Sequence, residues 1–312
     1  MRLQLFDAAL ECEGPVAGYA LAHADSPISV SLQVLPCSHG CGQQYPDGLV
    51  LHRTPTGLCI HLAFENSFRH IQVSGSPPDL EIKLRTNVMV GVNETLLHVF
   101  PKAFFWGLGR CCLHGAVLAQ GDEAYFFGGP SGAGKSHLAA GLVSFSDFEL
   151  LADDFLPLPA GAARAYAGPK LVKLGLEQLS FWNRHLPADW TLLSPSQEDG
   201  KVQAPWLHDK VHFVSSGAAT GPRPLSRIFF LEPRAKQGPP LEISPPLKVA
   251  DTLQRLLAER HRSPLEDAGE KLRISREVLQ LAASTEARSL RLNDNLSSLP
   301  TACRQLQEFL AG

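Results

Sequence analysis

Hydrophobic and polar residues alternate in short stretches over the first 95 residues of the chain. Residues 28–34 and 80–84 show this alternation, and glycines, prolines and serines separate one stretch from the next. When hydrophobicity alternates with every residue, a strand has one face toward a core and the other toward water. We therefore predict antiparallel β structure here, in a small β-rich N-terminal domain of residues 1–95.

From residue 96 onward, helical periods alternate with runs that are apolar throughout. Residues 97–108 look helical and lead into a predicted strand at 113–119, and further apolar strand-like runs follow. Two later segments carry apolar residues on one helix face, Val249, Leu253, Leu256 and Leu257 in the first and Leu306, Phe309 and Leu310 at the end of the chain. We predict a mixed α/β class, with residues 96–312 forming a second domain.

One motif stands between an apolar run at 124–127 and a helix-forming run at 137–140. Residues 129–136 read G-P-S-G-A-G-K-S and fit the pattern G-x-x-x-x-G-K-[ST]. In that pattern glycines let backbone N–H groups face phosphate oxygens, Lys135 can reach the β- and γ-phosphates, and Ser136 can hold Mg²⁺. The motif and its context predict a P-loop that binds a nucleoside triphosphate.

Two adjacent carboxylates, Asp153 and Asp154, end the next apolar run at 148–152. Side chains alternate along a strand but diverge at its end, so neighbouring aspartates there can serve a metal and an acceptor hydroxyl. The alternative is that Asp154 caps a turn while Asp153 is solvated. The distance from the P-loop favours phosphoryl transfer.

These stretches resemble the HPr kinase/phosphorylase family, specifically its C-terminal catalytic domain and the HPr-kinase-like serine kinases often associated with peptide-modifying gene clusters. Residues 113–117, 129–136 and 151–154 match tightly and in family order, and looser similarity extends over about two-thirds of the chain. The resemblance implies an ATP-dependent protein serine kinase. Its P-loop core would be related to the nucleotide domain of phosphoenolpyruvate carboxykinase.

The resemblance also implies roles for individual residues. Asp153 would be the general base, Ser136 and Asp154 would bind Mg²⁺, and His114 would lie near the reacting groups. Lys135 would bind the phosphates. The residues implied to bind ATP are Gly129, Pro130, Ser131, Gly132, Ala133, Gly134, Lys135, Ser136 and His137.

The bifunctional members of that family carry a further signature, an I-R-G-L-G-like run with a metal-linked Glu, and this sequence has no such run. Its N-terminal part also shows no clear likeness to their regulatory domain. A kinase-only relative therefore fits better than a kinase/phosphorylase that acts on HPr.

Composition and charge limit the classes of partner that we expect. The formal net charge is −3, and charged residues make up 19 % of the chain without long runs of one sign, so we expect neither nucleic acid nor an anionic membrane as a partner. No apolar stretch is long enough for a membrane span, and the N-terminus lacks a signal-peptide profile. We expect a cytoplasmic enzyme with a peptide or protein acceptor, and a homo-oligomer stays open.

Several residues have a second interpretation. Glu232 follows an apolar run and could be a catalytic Glu of a motor ATPase, but the end of a core strand before Pro233 is the simpler interpretation. Lys170, Lys173, Lys210 and Arg227 are further candidate phosphate-binding cations or ordinary surface charges. Cys37, His39 and Cys41 are close enough to suggest zinc, yet no fourth ligand is evident, so we expect a loop with incidental thiols.

Two alternatives to a protein serine kinase stay open. A small-molecule kinase would need a closed pocket with buried cations, whereas a peptide acceptor would need an open groove beside the aspartates. A nucleotide-binding regulatory protein would bind ATP tightly and release no phosphorylated product.

The missing Glu-bearing signature predicts that the enzyme phosphorylates its acceptor and does not catalyse the dephosphorylation. Phosphate-dependent dephosphorylation of an authentic phosphorylated acceptor should be negligible, and serine should be favoured over tyrosine because a short side chain brings the peptide backbone close to the aspartates. Mass spectrometry of the acceptor measures both the phosphorylated residue type and any dephosphorylation. Phosphotyrosine as the main product, or efficient phosphate-dependent dephosphorylation, would contradict this prediction.

Overall fold

The structure is a computed structural model, and its architecture is mixed α/β with several sheets. It describes residues 2–5, 8–11, 28–36, 48–54, 57–64, 67–76, 79–86, 100–158, 163–193, 197–198, 201–202, 210–215, 221–263 and 266–312. The predicted α/β class is confirmed at this level. The predicted domain boundary between residues 95 and 96 and the Cys37, His39 and Cys41 cluster lie outside the described residues. Within them, no helix combines the length and apolar character needed to cross a membrane.

The described part of the N-terminal region forms one sheet with strand order β1-β2-β3-β7-β6-β5-β4. Its strands are β1 (Arg2–Leu5), β2 (Ala8–Glu11), β3 (Ile28–Pro36), β4 (Gly48–Thr54), β5 (Gly57–Phe64), β6 (Ser67–Ser76) and β7 (Asp79–Thr86). The predicted strands are present. The predicted antiparallel pairing is confirmed for four strand pairs, β1 with β2, β4 with β5, β5 with β6 and β6 with β7. The other two pairs differ from the prediction, because β3 pairs in parallel with both β2 and β7. Long connections precede and follow β3, and parallel pairs need such crossovers whereas hairpins do not.

The main sheet of the C-terminal part has the order β11-β9-β10-β19-β21-β20. These strands are β9 (Ala116–Gln120), β10 (Glu123–Gly128), β11 (Glu149–Ala152), β19 (Arg223–Leu231), β20 (Leu241–Ile243) and β21 (Glu286–Leu292). β19 pairs in parallel with both β10 and β21, and β9 is antiparallel to both β10 and β11. The strands β10, β11, β19 and β21 therefore run in one direction and end at the same edge, where ligands bind in open α/β sheets.

Smaller strands and helices make up the rest of the described C-terminal residues. The strands are β8 (Cys111–Leu113), β12 (Leu156–Leu158), β13 (Arg164–Ala165), β14 (Leu171–Gly175), β15 (Trp190–Leu193), β16 (Gln197–Glu198), β17 (Lys201–Val202) and β18 (Lys210–Ser215). The helices are α1 (Phe100–Gly107), α2 (Lys135–Phe145), α3 (Leu179–His185), α4 (Val249–Ala258), α5 (Ala268–Ser284) and α6 (Leu299–Ala311). Short 3₁₀ turns precede α3 and α6.

The main sheet is covered on both faces, so its central strands are apolar throughout rather than alternating. Successive side chains of a strand point to opposite faces. Phe127 and Phe229 accordingly join a core with α2 and α6, while Phe126 and Phe230 join a second core with α4 and α5.

Two predicted elements differ from the observed ones. The strand predicted at 113–119 is broken at His114 and Gly115, because the His114 N–H donates to the Glu259 carbonyl oxygen at 2.7 Å. A Cβ at Gly115 would come within 2.5 Å of the Phe127 carbonyl oxygen, so the break also needs a glycine. On the predicted apolar face of α4, Leu256 is buried, but Val249 is exposed at the first turn.

The apolar face predicted for the terminal helix is confirmed, since Leu306 is fully buried in the same core as α2. Leu306→Ala should lower the free energy of unfolding by about 2–5 kcal/mol, because it leaves a cavity beneath the helix that follows the P-loop. Gln305→Ala, at the exposed neighbouring position, should change it by less than about 0.5 kcal/mol. Urea denaturation measures both, and equal effects would contradict the packing described.

Candidate functional site

The predicted P-loop, residues 129–136, connects β10 to α2 at the edge where the parallel strands end. Gly129, Gly132 and Gly134 have φ angles of 135°, 83° and 102°, a region that L side chains rarely adopt. A Cβ at Gly129 would also lie 2.6 Å from the Leu231 carbonyl oxygen of the neighbouring strand. The glycines of the motif are therefore required by the backbone, as the sequence predicts.

Lys135 is the first residue of α2, and its ammonium group turns back to the start of the loop. Nζ donates to the carbonyl oxygens of Gly129 at 2.6 Å and Pro130 at 3.3 Å. The residue is only 8 % exposed. Burial lowers the pKa of the Lys135 ammonium, while the nearby carboxylates of Glu259, Asp153 and Asp154 oppose that shift.

Asp153 lies directly after β11 and faces the other end of the P-loop motif. The Ser136 hydroxyl donates to its carboxylate, and the Asp154 N–H donates to its Oδ1 at 3.0 Å. Burial raises the pKa of Asp153, and the neighbouring Asp154 charge adds to the rise. The Ser136 hydroxyl and the Asp153 carboxylate thus form an adjacent pair of oxygen donors, the ligand type that Mg²⁺ prefers.

Asp154 has a different environment, with a basic group on each carboxylate oxygen. His114 Nε2 lies 2.9 Å from Oδ1, and Lys173 Nζ lies 2.9 Å from Oδ2. The His261 Nε2 atom is 3.3 Å from the Asp154 backbone carbonyl oxygen. Among the described residues, Asp154 is the only residue other than glycine that has a positive φ angle, 73°. Such strain costs about 1–3 kcal/mol and persists where the surroundings hold the residue in place.

Glu259, which the sequence analysis did not single out, joins the P-loop to His114. Its carboxylate accepts from the Gly129 N–H and has Oε2 3.8 Å from His114 Nδ1. Burial raises the pKa of Glu259, and the charges of Lys135 and His114 oppose that rise. The residue follows the last turn of α4, and no motif in the sequence marks that helix end as part of a site.

Arg234, after β19, is a second residue that the sequence analysis missed. Its Nη1 lies 3.2 Å from Asp294 Oδ1, and its Nη2 lies 3.5 Å from His137 Nδ1 on the first turn of α2. The other ring nitrogen of His137 contacts the Gln178 side chain, and burial lowers the pKa of this histidine. A Cβ at Gly134 would lie 2.9 Å from Arg234 Nε, so the guanidinium packs directly on the P-loop.

The other four predicted cations have different surroundings. Lys173 binds Asp154, as described. Lys170 is buried and pairs with Glu149 at 2.7 Å, and Arg227 lies 3.8 Å from Glu286, halfway along β19. Lys210 is exposed at the start of β18.

Glu232 is held by a basic side chain rather than facing the P-loop. Arg255 Nη1 lies 2.6 Å from its Oε1, and the Ser289 hydroxyl donates to the same oxygen at 2.9 Å. These contacts lower the pKa of the Glu232 carboxyl group against the effect of burial. The interpretation of Glu232 as the end of a core strand is favoured over that of a catalytic Glu.

The buried cysteines lie away from this chemistry. Cys111 and Cys112 are on β8 in the core, and burial raises the pKa of the Cys111 thiol to about 12. In the described ranges, no group of three or more His, Cys, Asp or Glu side chains could hold a metal ion alone. Mg²⁺ bound with a nucleotide needs only one or two protein ligands, because phosphates and water supply the rest. Ser136 and Asp153 therefore fit such a metal.

Comparison with models of protein families and with curated proteins finds no match to this chain. A fold class alone does not determine an activity, because unrelated functions share folds. What bears on function is therefore the site itself: the P-loop, the two aspartates and the side chains that contact them.

Proposed function

We propose that this chain is an ATP-dependent kinase that transfers the γ-phosphoryl group to a hydroxyl, with a serine of a peptide or protein as acceptor. We also propose that its C-terminal part is an HPr-kinase-like P-loop domain. The observation that carries the proposal is the meeting of a glycine-dependent P-loop with two consecutive aspartates in different environments. One aspartate contacts the P-loop serine, and the other contacts a histidine and a lysine.

The P-loop supplies the binding site for the triphosphate. Its backbone N–H groups and the N-terminus of α2 favour anions, and Lys135 adds a positive charge beside them. With a nucleotide bound, the Lys135 ammonium exchanges the loop carbonyls for phosphate oxygens, which offer a stronger, charge-assisted hydrogen bond. Burial of Lys135 strengthens that attraction because little water screens it.

Ser136 and Asp153 would hold the metal ion, since their oxygens are already hydrogen-bonded to each other. Mg²⁺ neutralises charge on the phosphates when it is bound. Asp154 is less suited to this role, because the Lys173 ammonium and the His114 ring already face its two oxygens. A metal ion at Asp154 would have to displace one of these two contacts.

Asp154 then serves the acceptor hydroxyl, which exchanges the roles that the family resemblance implies for the two aspartates. Its side chain is 26 % exposed, and His114 and Lys173 fix its orientation. The hydroxyl oxygen forms a bond to the γ-phosphorus, the bond from that phosphorus to the bridging oxygen breaks, and ADP leaves with the electron pair. The hydroxyl proton passes to Asp154, which orients the nucleophile while charged groups stabilise the transition state.

A small-molecule kinase and a nucleotide-dependent switch are the alternatives from other classes. The same site chemistry serves a peptide or a metabolite hydroxyl, so the acceptor is chosen from the family resemblance. A nucleotide-dependent switch does not need a carboxylate held in position for an acceptor hydroxyl. The contacts of His114 and Lys173 hold the Asp154 carboxylate in position, and this favours an enzyme.

The proposal is tested first at Lys135. Lys135→Ala should abolish MgATP binding or weaken it by at least about a hundredfold, because it removes the main positive charge beside the phosphates. Isothermal titration calorimetry measures the affinity, and thermal unfolding shows whether the variant is folded. Lys271→Ala, an exposed lysine on α5, is the matched control and should bind like the unmodified protein. Unchanged binding and turnover in folded Lys135→Ala protein would remove the P-loop assignment.

The two aspartates should respond differently to the same substitution. Asp154→Asn should lower the rate of transfer by about 10²–10⁴-fold and leave MgATP affinity unchanged, because it removes the group that takes the acceptor proton. Asn tolerates a positive φ, so the backbone at this position is preserved.

Asp153→Asn should instead raise the Mg²⁺ concentration needed for half-maximal ATP binding, because a metal ligand loses its charge. A Mn²⁺ titration followed by electron paramagnetic resonance gives a readout that does not depend on turnover. The opposite pattern would assign metal binding to Asp154 and acceptance of the hydroxyl proton to Asp153. Small and equal effects from both substitutions would favour turn capping.

A further inference from the structure

Arg234 lies on the side of the P-loop away from the two aspartates. In the sheet order β11-β9-β10-β19-β21, the aspartates follow β11 on one side of β10, and Arg234 follows β19 on the other. Asp294, its ion-pair partner at 3.2 Å, comes from the segment after β21, one strand further out. The P-loop thus separates a side with carboxylates from a side with a guanidinium group.

The proposed reaction fixes which end of the nucleotide lies on each side. The γ-phosphorus has to reach the acceptor beside Asp154, so the transferable end of the triphosphate points toward the β11 side. The nucleoside is attached to the opposite end of the triphosphate and therefore extends over the ends of β19 and β21. Arg234 is a charged side chain on that side that packs on the P-loop itself.

The edges of the Arg234 guanidinium are turned toward protein groups. Nη1 faces Asp294, Nη2 faces His137, and the edge formed by Nε and Nη2 lies against Gly134. Within the described part of the chain, the buried Nε atom has no hydrogen-bond partner. The side chain is nevertheless 22 % exposed. Because these edges are turned toward protein groups, the face of the guanidinium plane is the part that is left for a ligand.

A planar cation whose edges are turned toward the protein is suited to stacking on an aromatic ring. A phosphate would instead be bound through the two-donor edge, which here packs against Gly134. The carboxylate of Asp294 also offsets the positive charge that would attract a further anion. The contacts therefore favour the nucleobase over the phosphates as the ligand of Arg234.

We propose that Arg234 determines specificity for a nucleotide by stacking its guanidinium plane on the base, with His137 and Asp294 holding that plane in place. This inference rests on the proposed ATP-dependent function and names the part of the site that recognises the nucleoside. It makes ATP, rather than an inorganic polyphosphate, the donor that the site selects.

The experiment compares two ligands that share the phosphates and differ in the base. MgATP and magnesium tripolyphosphate are titrated by calorimetry against the unmodified chain, Arg234→Ala and Arg234→Lys. Arg234→Ala should weaken MgATP binding about tenfold, the size of a cation–π contact, and leave tripolyphosphate affinity within about twofold. Arg234→Lys should be as weak as Arg234→Ala for MgATP, because lysine keeps the charge and loses the plane.

Two controls separate failure of this inference from failure of the proposed function. Lys135→Ala should lose both ligands, and if the unmodified chain binds neither of them, the proposed function itself fails. Arg291→Ala, an exposed arginine on β21 that pairs with Glu242, should bind both ligands normally. Thermal unfolding reports folding of each variant, and Arg234→Lys provides the test if Arg234→Ala is unstable. Equal losses for both ligands would make Arg234 a phosphate ligand, and unchanged MgATP affinity would remove it from the site.

Discussion

The parallel pairing of β10 with β19 is the contact on which the candidate site depends. Phe127 stands opposite Phe229 in the register, and their rings stack at 5.3 Å between centroids. This pairing brings the end of β19 so close to the P-loop that Gly129 has no room for a side chain against Leu231. The position of the loop, and of Arg234 after β19, thus follows from hydrogen bonds and packing inside the sheet.

Around that loop, opposite charges compensate one another at close range. Lys135, Asp153 and Glu259 are each substantially buried, and burial alone would favour their neutral forms. Hydrogen bonds and opposite charges nearby oppose this effect, although at Asp153 the like charge of Asp154 adds to it. Removing one member leaves another uncompensated, so substitutions here act on their neighbours as well as on the ligand.

The local features of the site could be predicted from the sequence, because they depend on residues close together in the chain. The P-loop glycines and the aspartate pair belong to this class. Glu259 and Arg234 could not be predicted, since both lie far from the P-loop in the sequence and reach it only through the sheet and helix packing. Apolar runs predicted the central strands, but they could not show that His114 leaves its strand, because its partner is the carbonyl of Glu259.

The contact between His114 and Glu259 couples the end of α4 to the site. The backbone of Glu259 holds the break between β8 and β9, while its side chain contacts the first N–H of the P-loop. Helix ends are among the first parts of a protein to open by local unfolding. Fraying of α4 by a single turn would weaken the Glu259 contacts to the imidazole and to the start of the loop together. The local stability of one helix end therefore acts on two parts of the site at once.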